Sequence, residues 1–208
     1  MKHDSAGNLI RFAFKVGKAV GRWTNTAAST LCFRILCLLN GIRIGRHSRA
    51  IGVPSINVSM GGVATIGESL YIRTGAGNTE VGHVGSRIRV GPKGVLRVGN
   101  HVGMSNATIV CELSVEIGDD VFIGGGVQVF DTNFHSTDAV IRTSGLETRE
   151  DVRTDPVRIG SRVFIGANAM ICKGAVIGDE AIVAAGSVVV SSIPPGEMWG
   201  GNPARKIR

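Results

Sequence analysis

One tyrosine, two tryptophans and seven phenylalanines among 208 residues hold the aromatic share to 5%. A core so composed must rest on Val, Ile, Leu and Ala, with no basic face interleaved with aromatic readers as a nucleic-acid-binding body needs. Proline is scarce as well, six in all against thirty glycines. That balance is foreign to helical bundles and ordinary sandwiches and natural where a tight turn recurs many times. The four cysteines, Cys32, Cys37, Cys111 and Cys172, form no CxxC and no zinc spacing, so reduced thiols in a cytoplasmic setting are expected. No cleavable signal pattern is present. The apolar run "STLCFRILCLLNGI" carries Arg34 at its middle and falls short of the about 20 apolar residues that a membrane span needs.

Acid is missing from one region in particular. Residues 1–50 set nine bases against Asp4 alone, a net +8, whereas the remaining residues carry 14 bases and 15 acids. The formal charge of +7 therefore belongs to the N-terminal segment, and the body of the chain has no electrostatic footprint for nucleic acid.

What is present is a period. Ile159, Ile165, Ile171, Ile177, Val183 and Val189 lie six apart, and four residues after each come Val163, Ala169, Ala175, Ala181, Ser187 and Ile193. Gly follows the first position at 160, 166 and 178. Helices need apolar residues at three and four rather than six, and a glycine in nearly every turn would cost about 1 kcal/mol each. A six-residue period instead gives a short strand and a corner, three of which close a triangular coil of about 18 residues. The register extends upstream through Ile117, Ile123 and Val129, and more loosely through Ile66, Leu70, Ile72, Val98, Met104 and Val110. Since Val110 to Ile117 is seven, one extra residue has to be absorbed between Cys111 and Ser114.

Three parts follow. Residues 1–45 read as a basic, apolar helical extension, expected to cap the open end of the coil or pack between subunits, with contact to an acidic membrane surface as the alternative. Residues 46–194 form the coil, interrupted at 136–156 by a charged, Thr-rich excursion without the period; long loops in compact domains tend to be functional. Residues 195–208 are a basic tail, and Pro194 just before it, with Pro195 and Pro203 inside it, is expected to end the sheet.

The stretches "VEIGDDVFIGGGVQVFDTNFH" and "PVRIGSRVFIGANAMICKGAVIGDEAIVAAGSVVVSSIPPGEMWGGNPARKIR" resemble the hexapeptide-repeat acyltransferases, in the branch of maltose and galactoside acetyltransferases and surface-polysaccharide O-acetyltransferases. The resemblance spans about residues 96–208. It implies an all-β fold, a left-handed parallel β-helix against the usual right-handed crossover rule. It further implies a homotrimer, acetyl-CoA as co-substrate and a sugar or glycan acceptor. It puts the catalytic base at His135. Histidine, ordinarily titrating near 6.5, suits removal of a hydroxyl proton at neutral pH without an acyl-enzyme. Asp131 would fix the tautomer of that ring or orient the acceptor, or serve as an ordinary turn acid. Asn133 and Asn106 are acceptor-binding candidates, although Asn is also a common corner residue.

The same likeness assigns the pantetheine to main-chain groups around Gly166, Ala167, Ala184, Ala185 and Gly186, and the CoA phosphates to Arg205, Lys206 and Arg208. Departures are visible: Val190-Ser191 replaces a Thr-Lys pair, Phe164 a common Trp, and Met104 an acceptor-binding Asn. The γ-class carbonic anhydrases share this fold and hold zinc through three histidines, two in H-x4-H. Here His83 and His101 lie 18 apart with no such pair, so no metal is expected. N-acetylation of a nucleotide-linked amino sugar, or a non-catalytic trimeric scaffold, are the rival functions.

Overall fold

The computed structural model describes residues 5–75, 81 and 85–208; His83 lies outside them. After a helix α1, Ser5–Leu39, the chain winds through three parallel sheets in strict rotation. The first face stacks Arg43–Ile44, Val63–Ile66, Val95–Val98, Ser114–Ile117, Val157–Ile159 and Val176–Ile177. The second runs from Arg49–Ile51 through Phe122–Ile123 and Phe164–Ile165 to Ile182–Val183, and the third from Ser55–Val58 through Gln128–Phe130 to Val188–Val189. Each turn of chain visits all three faces, so strands inside the stack pair with the strand one coil earlier and one coil later. The result is a parallel β-coil.

All twelve inward positions counted from Ile159 to Ile193 are buried, Ser187 among them. Ser187 keeps its place because its hydroxyl donates to Ala184 O at 2.6 Å and accepts from Gly201 N at 3.3 Å, as a buried hydroxyl must. The glycine after each aliphatic residue is not the residue that turns the corner. A Cβ on Gly118 would meet Gly160 C at 2.8 Å, and one on Gly160 would meet Asp179 N at 2.7 Å; the column is glycine because stacked backbones approach there. The left-handed backbone sits two residues later, on Asp120, Arg162 and Glu180 at φ of 57°, 58° and 62°.

Upstream the register differs from the one expected. Val129 pairs with Ile109, and Val110 pairs with Phe130 on the outward side. Ile109 is therefore the core residue, and the surplus residues fall after it, at the turn of Cys111–Ser114. The corner before Ile109 is one residue shorter than its neighbours. Asn106 makes it alone with φ at 43°, buried, its Oδ1 accepting Gly75 N at 2.9 Å.

Both ends of the stack are covered. At the start, Phe33 and Cys37 of α1 plug the first coil with no exposure. Thr30 Oγ1 accepts Ala50 N at 3.1 Å and Ser29 Oγ accepts Gly52 N at 3.2 Å, which satisfies part of the open edge. At the other end the prolines do not stop the sheet. Met198–Gly201 adds a parallel strand beside Ile182–Val183, and Ala204–Lys206 returns antiparallel to close it. Among the described residues no helix is long and apolar enough to cross a membrane.

Candidate active site

The strand Gln128–Phe130 delivers Val129 inward, and Asp131 follows it with no exposure. One carboxylate oxygen of Asp131 accepts Glu112 N at 2.8 Å; the other accepts Leu113 N and Ser114 N at 2.7 and 2.8 Å. These three donors belong to the turn that absorbs the surplus residues one coil earlier. Asp131 is thus committed to the corner, which corrects its assignment to the ring of His135 or to an acceptor. Burial pushes its carboxyl up, and the N–H groups of Glu112, Leu113 and Ser114 pull against that shift. The thiol of Cys111 is pushed up to about 12, first by burial and then by the charge of Asp131. Burial likewise pushes Cys37 up to about 11, against the opposing effect of Arg34. Thiols held there stay protonated at neutral pH and are poor nucleophiles.

His135 finds its partner elsewhere. Its Nδ1 lies 2.8 Å from Glu147 Oε2, and the other oxygen of Glu147 accepts Ser136 N at 2.5 Å. The Ser136 amide first, and His135 second, hold the Glu147 carboxyl below its ordinary range. An ionised carboxylate only accepts, so the proton of the neutral ring is assigned to Nδ1 and Nε2 is left with its lone pair. Among the described residues Nε2 has no partner, and the side chain is 68% exposed. A histidine oriented by a carboxylate with its second nitrogen open is chemically able to accept a proton from a bound hydroxyl.

Glu147 was not legible in the sequence. It lies twelve residues beyond His135 inside the excursion without a period, so no spacing rule connects the two. The excursion itself is tied down rather than free. A short helix α2, Ala139–Thr143, is capped by Asp138, and Arg142 donates to Ser136 O at 2.7 Å. Thr132 bridges Thr154, and Asn133 N donates to Arg153 O at 3.0 Å. Phe134 takes a left-handed φ of 64°, which a bulky residue rarely adopts. Its ring packs against Phe130 at 5.3 Å between centroids, and it remains half exposed.

A cavity of about 490 Å³ opens beside this ring and His135, within the about 300–1,000 Å³ of small-molecule clefts. Pro92, Leu113 and Val152 give it apolar walls; Arg89, Lys93 and Arg149 bring cations, Glu112 and Glu150 acids. Asn133 is half-buried beside the cavity's lining and Asn106 is spent on its corner, so neither borders the cavity as the acceptor assignment anticipated.

The donor candidates lie at a different corner. Gly166 and Ala167 follow Phe164–Ile165, and Ala184 to Gly186 follow Ile182–Val183, where the second face turns into the third; His135 lies where the third turns into the first. Gly186 N donates to Ala167 O at 2.8 Å, so the two corners stack. The tail lies against them: Ala184 N donates to Trp199 O at 2.8 Å, and Gly200, opposite Arg205 in the returning hairpin, packs so close that a Cβ on it would meet Ala184 Cβ at 2.9 Å. Arg205 and Arg208 are exposed, while Lys206 pairs with Glu197 at 2.6 Å. The structure brings these donor candidates and the tail together. His135 stands apart from them in the single chain.

Several known proteins are similar to this chain. The profile of the family described as "Hexapeptide repeat of succinyl-transferase" matches residues 156–191. Nodulation protein L of Rhizobium meliloti is 36% identical over 160 residues, covering 68% of this chain and 78% of that protein. Galactoside O-acetyltransferase of Escherichia coli is 32% identical over 145 residues, covering 70% of this chain. The chain spans 63% of the length of that protein, and about half of other curated relatives. The crystal structure of a hexapeptide-repeat acetyltransferase of Vibrio cholerae, complexed with acetyl coenzyme A, is 27% identical. It superposes with a TM-score of 0.54, covering 85% of this chain and 74% of that one. With a hexad register unbroken from Ile159 to Ile193, a parallel coil of three faces and a relative matched over most of its length, the chain belongs to the hexapeptide-repeat acyltransferase family.

Proposed function

We propose that this protein is an acetyl-CoA-dependent O-acetyltransferase that acts on a sugar hydroxyl of a surface polysaccharide or a glycan precursor. The observation that carries the reading is the His135–Glu147 pair at the edge of a small-molecule cavity. Nε2 takes the proton of the acceptor hydroxyl as its oxygen attacks the thioester carbonyl. The C–S bond then breaks, and the departing sulfur receives that proton from the imidazolium, so CoA leaves as the thiol. Glu147 stabilises the imidazolium between the two transfers.

The donor half fits a pantetheine chain. Gly166, Ala167, Ala184, Ala185 and Gly186 present backbone with almost no side chain at one stacked corner, and Arg205 and Arg208 leave charged donors beside it for phosphates. The winding is taken as left-handed, as the family likeness implies. Acetyl-CoA titrated by calorimetry, with thiol release followed over hydroxyl and amine acceptors, tests the whole. Release with amines alone would reassign the enzyme to N-transfer, and absence of acetyl-CoA binding would leave only a scaffold.

Because base and donor column occupy different corners, the reading includes a homotrimer in which a corner of one copy meets that of the next. The second face offers a surface to cover: Phe122 and Phe164, paired across adjacent coils, are 63% and 50% exposed. Light scattering is expected to return three chain masses, and Phe122→Asp with Phe164→Asp to lower both that mass and thiol release. A monomeric wild type of full activity would refute it.

Peripheral contact at the inner face of the membrane is part of the same proposal. Leu31, Ile35, Leu38 and Leu39 stand exposed along α1, on a segment of net charge +8, complementary to anionic lipid. Leu38→Glu with Leu39→Glu is expected to reduce co-sedimentation with phosphatidylglycerol vesicles at least severalfold. Equal sedimentation of variant and wild type counts against the contact.

A further inference from the structure

The cavity beside His135 has an arrangement of charge that an ordinary neutral sugar does not need. Glu112 lies low in it, its side chain only 14% exposed, and two guanidinium groups close over the carboxylate. Arg89 contacts one oxygen, and Arg149 NH1 lies 3.1 Å from the other. Each arginine directs one terminal nitrogen to Glu112. A guanidinium carries five N–H donors in a planar fork, so most of both forks is left for a ligand. Lys93, at the rim, adds a third cation and is answered there by Glu150 at 3.2 Å.

Glu112 is thus withdrawn while the guanidinium groups are presented, and the exposed Glu150 stays with Lys93 at the rim. The two arginines come from different coils, Arg89 from the strand Arg87–Val90 and Arg149 from the excursion that also supplies Glu147. In the same cavity, the half-exposed ring of Phe134 offers a flat apolar face of the kind on which the C–H side of a pyranose rests.

We infer that the acceptor is an anionic saccharide, whose carboxylate or phosphate is held between Arg89 and Arg149 while its ring lies on Phe134 and presents a hydroxyl to His135. Glu112 acts as the positioning residue: it fixes the two forks at one spacing and forgoes contact with the ligand. This inference rests on the acetyltransferase reading of the same site.

The test measures binding and turnover separately. Glucuronic acid, glucose 1-phosphate and glucose are titrated into the full-length protein, with the amide resonances of Phe134 and His135 as readout. One or both acids are expected to bind at least tenfold more tightly than glucose, with affinity falling as salt rises. The stronger acid identifies the group, carboxylate or phosphate. Arg149→Gln, a change at an exposed loop position, is expected to remove about tenfold of that preference, the usual worth of a charge-assisted bond. Arg149→Lys is expected to restore part of it. Equal affinity for acids and glucose, or an unchanged preference in Arg149→Gln, would overturn the inference. Thiol release that needs neutral acceptors would do the same while leaving acetyl transfer intact. Loss of acetyl-CoA binding is a separate result, and only that one removes the parent reading.

Discussion

Replacing His135 by alanine is expected to lower acetyl-CoA-dependent thiol release by about 10²–10⁴-fold while leaving acetyl-CoA binding and thermal stability near those of the wild type. The range is that of a positioned general base. The ring is 68% exposed and its loss opens no cavity in the core, so stability has little reason to move. Glu147→Gln is the companion measurement. Gln keeps an acceptor for Ser136 N or for Nδ1–H but has one charge fewer to offer the imidazolium, so a smaller loss in turnover with little change in the acceptor's KM is expected. Turnover within twofold of wild type in His135→Ala would remove the histidine from the chemistry. Collapse of stability in the same variant would reassign it to the fold.

Asp131→Ala is expected to do the reverse, acting on stability first. Three backbone N–H groups lose their acceptors, each worth about 1–3 kcal/mol if left unpaired. Removing the carboxylate also removes the cost of burying it, which is the largest influence on that group. Water can reach the turn as well, since Leu113 is exposed. The net expectation is about 2–4 kcal/mol, a fall in melting temperature of roughly 5–15 °C for a domain of this size. Asp131→Asn keeps the bonds to Leu113 and Ser114 but turns an N–H2 group toward Glu112 N, and an intermediate loss is expected. Calorimetric scans of the three proteins decide the matter. A variant that melts with the wild type yet loses turnover would return Asp131 to the active site.

The two residues stand four apart in one short segment, and the sequence treated them alike. What separates them is the surplus of chain between Cys111 and Ser114, whose amides need an acceptor that only the next coil can supply. The count of residues revealed the surplus but not what satisfies it. From Ile159 onward the period left one inward solution, and burial follows it residue for residue. Earlier, two adjacent aliphatics, Ile109 and Val110, allowed either phase. A corner shortened to Asn106 settled it, and a side chain's tolerance of left-handed backbone is not visible in hydropathy. Glu147 escaped for a different reason. Its partner is fixed by the path of an excursion, and only three-dimensional closure brings positions 135 and 147 together.

The sealed ends of the coil bear on how such a chain changes over time. Within the stack each strand is hydrogen-bonded on both sides, the first coil is occupied by Phe33, Cys37 and the side chains of Ser29 and Thr30, and the last is closed on its second face by its own hairpin. A whole coil inside the stack can be added or lost only by breaking pairings on two fronts. A corner, by contrast, faces water and accepts extra chain without disturbing a ladder. Extra chain in this architecture is therefore most easily taken up sideways, at the vertices, and the twenty-one residues from Ser136 to Pro156 are such an excursion, carrying both Glu147, the partner of His135, and Arg149 at the cavity.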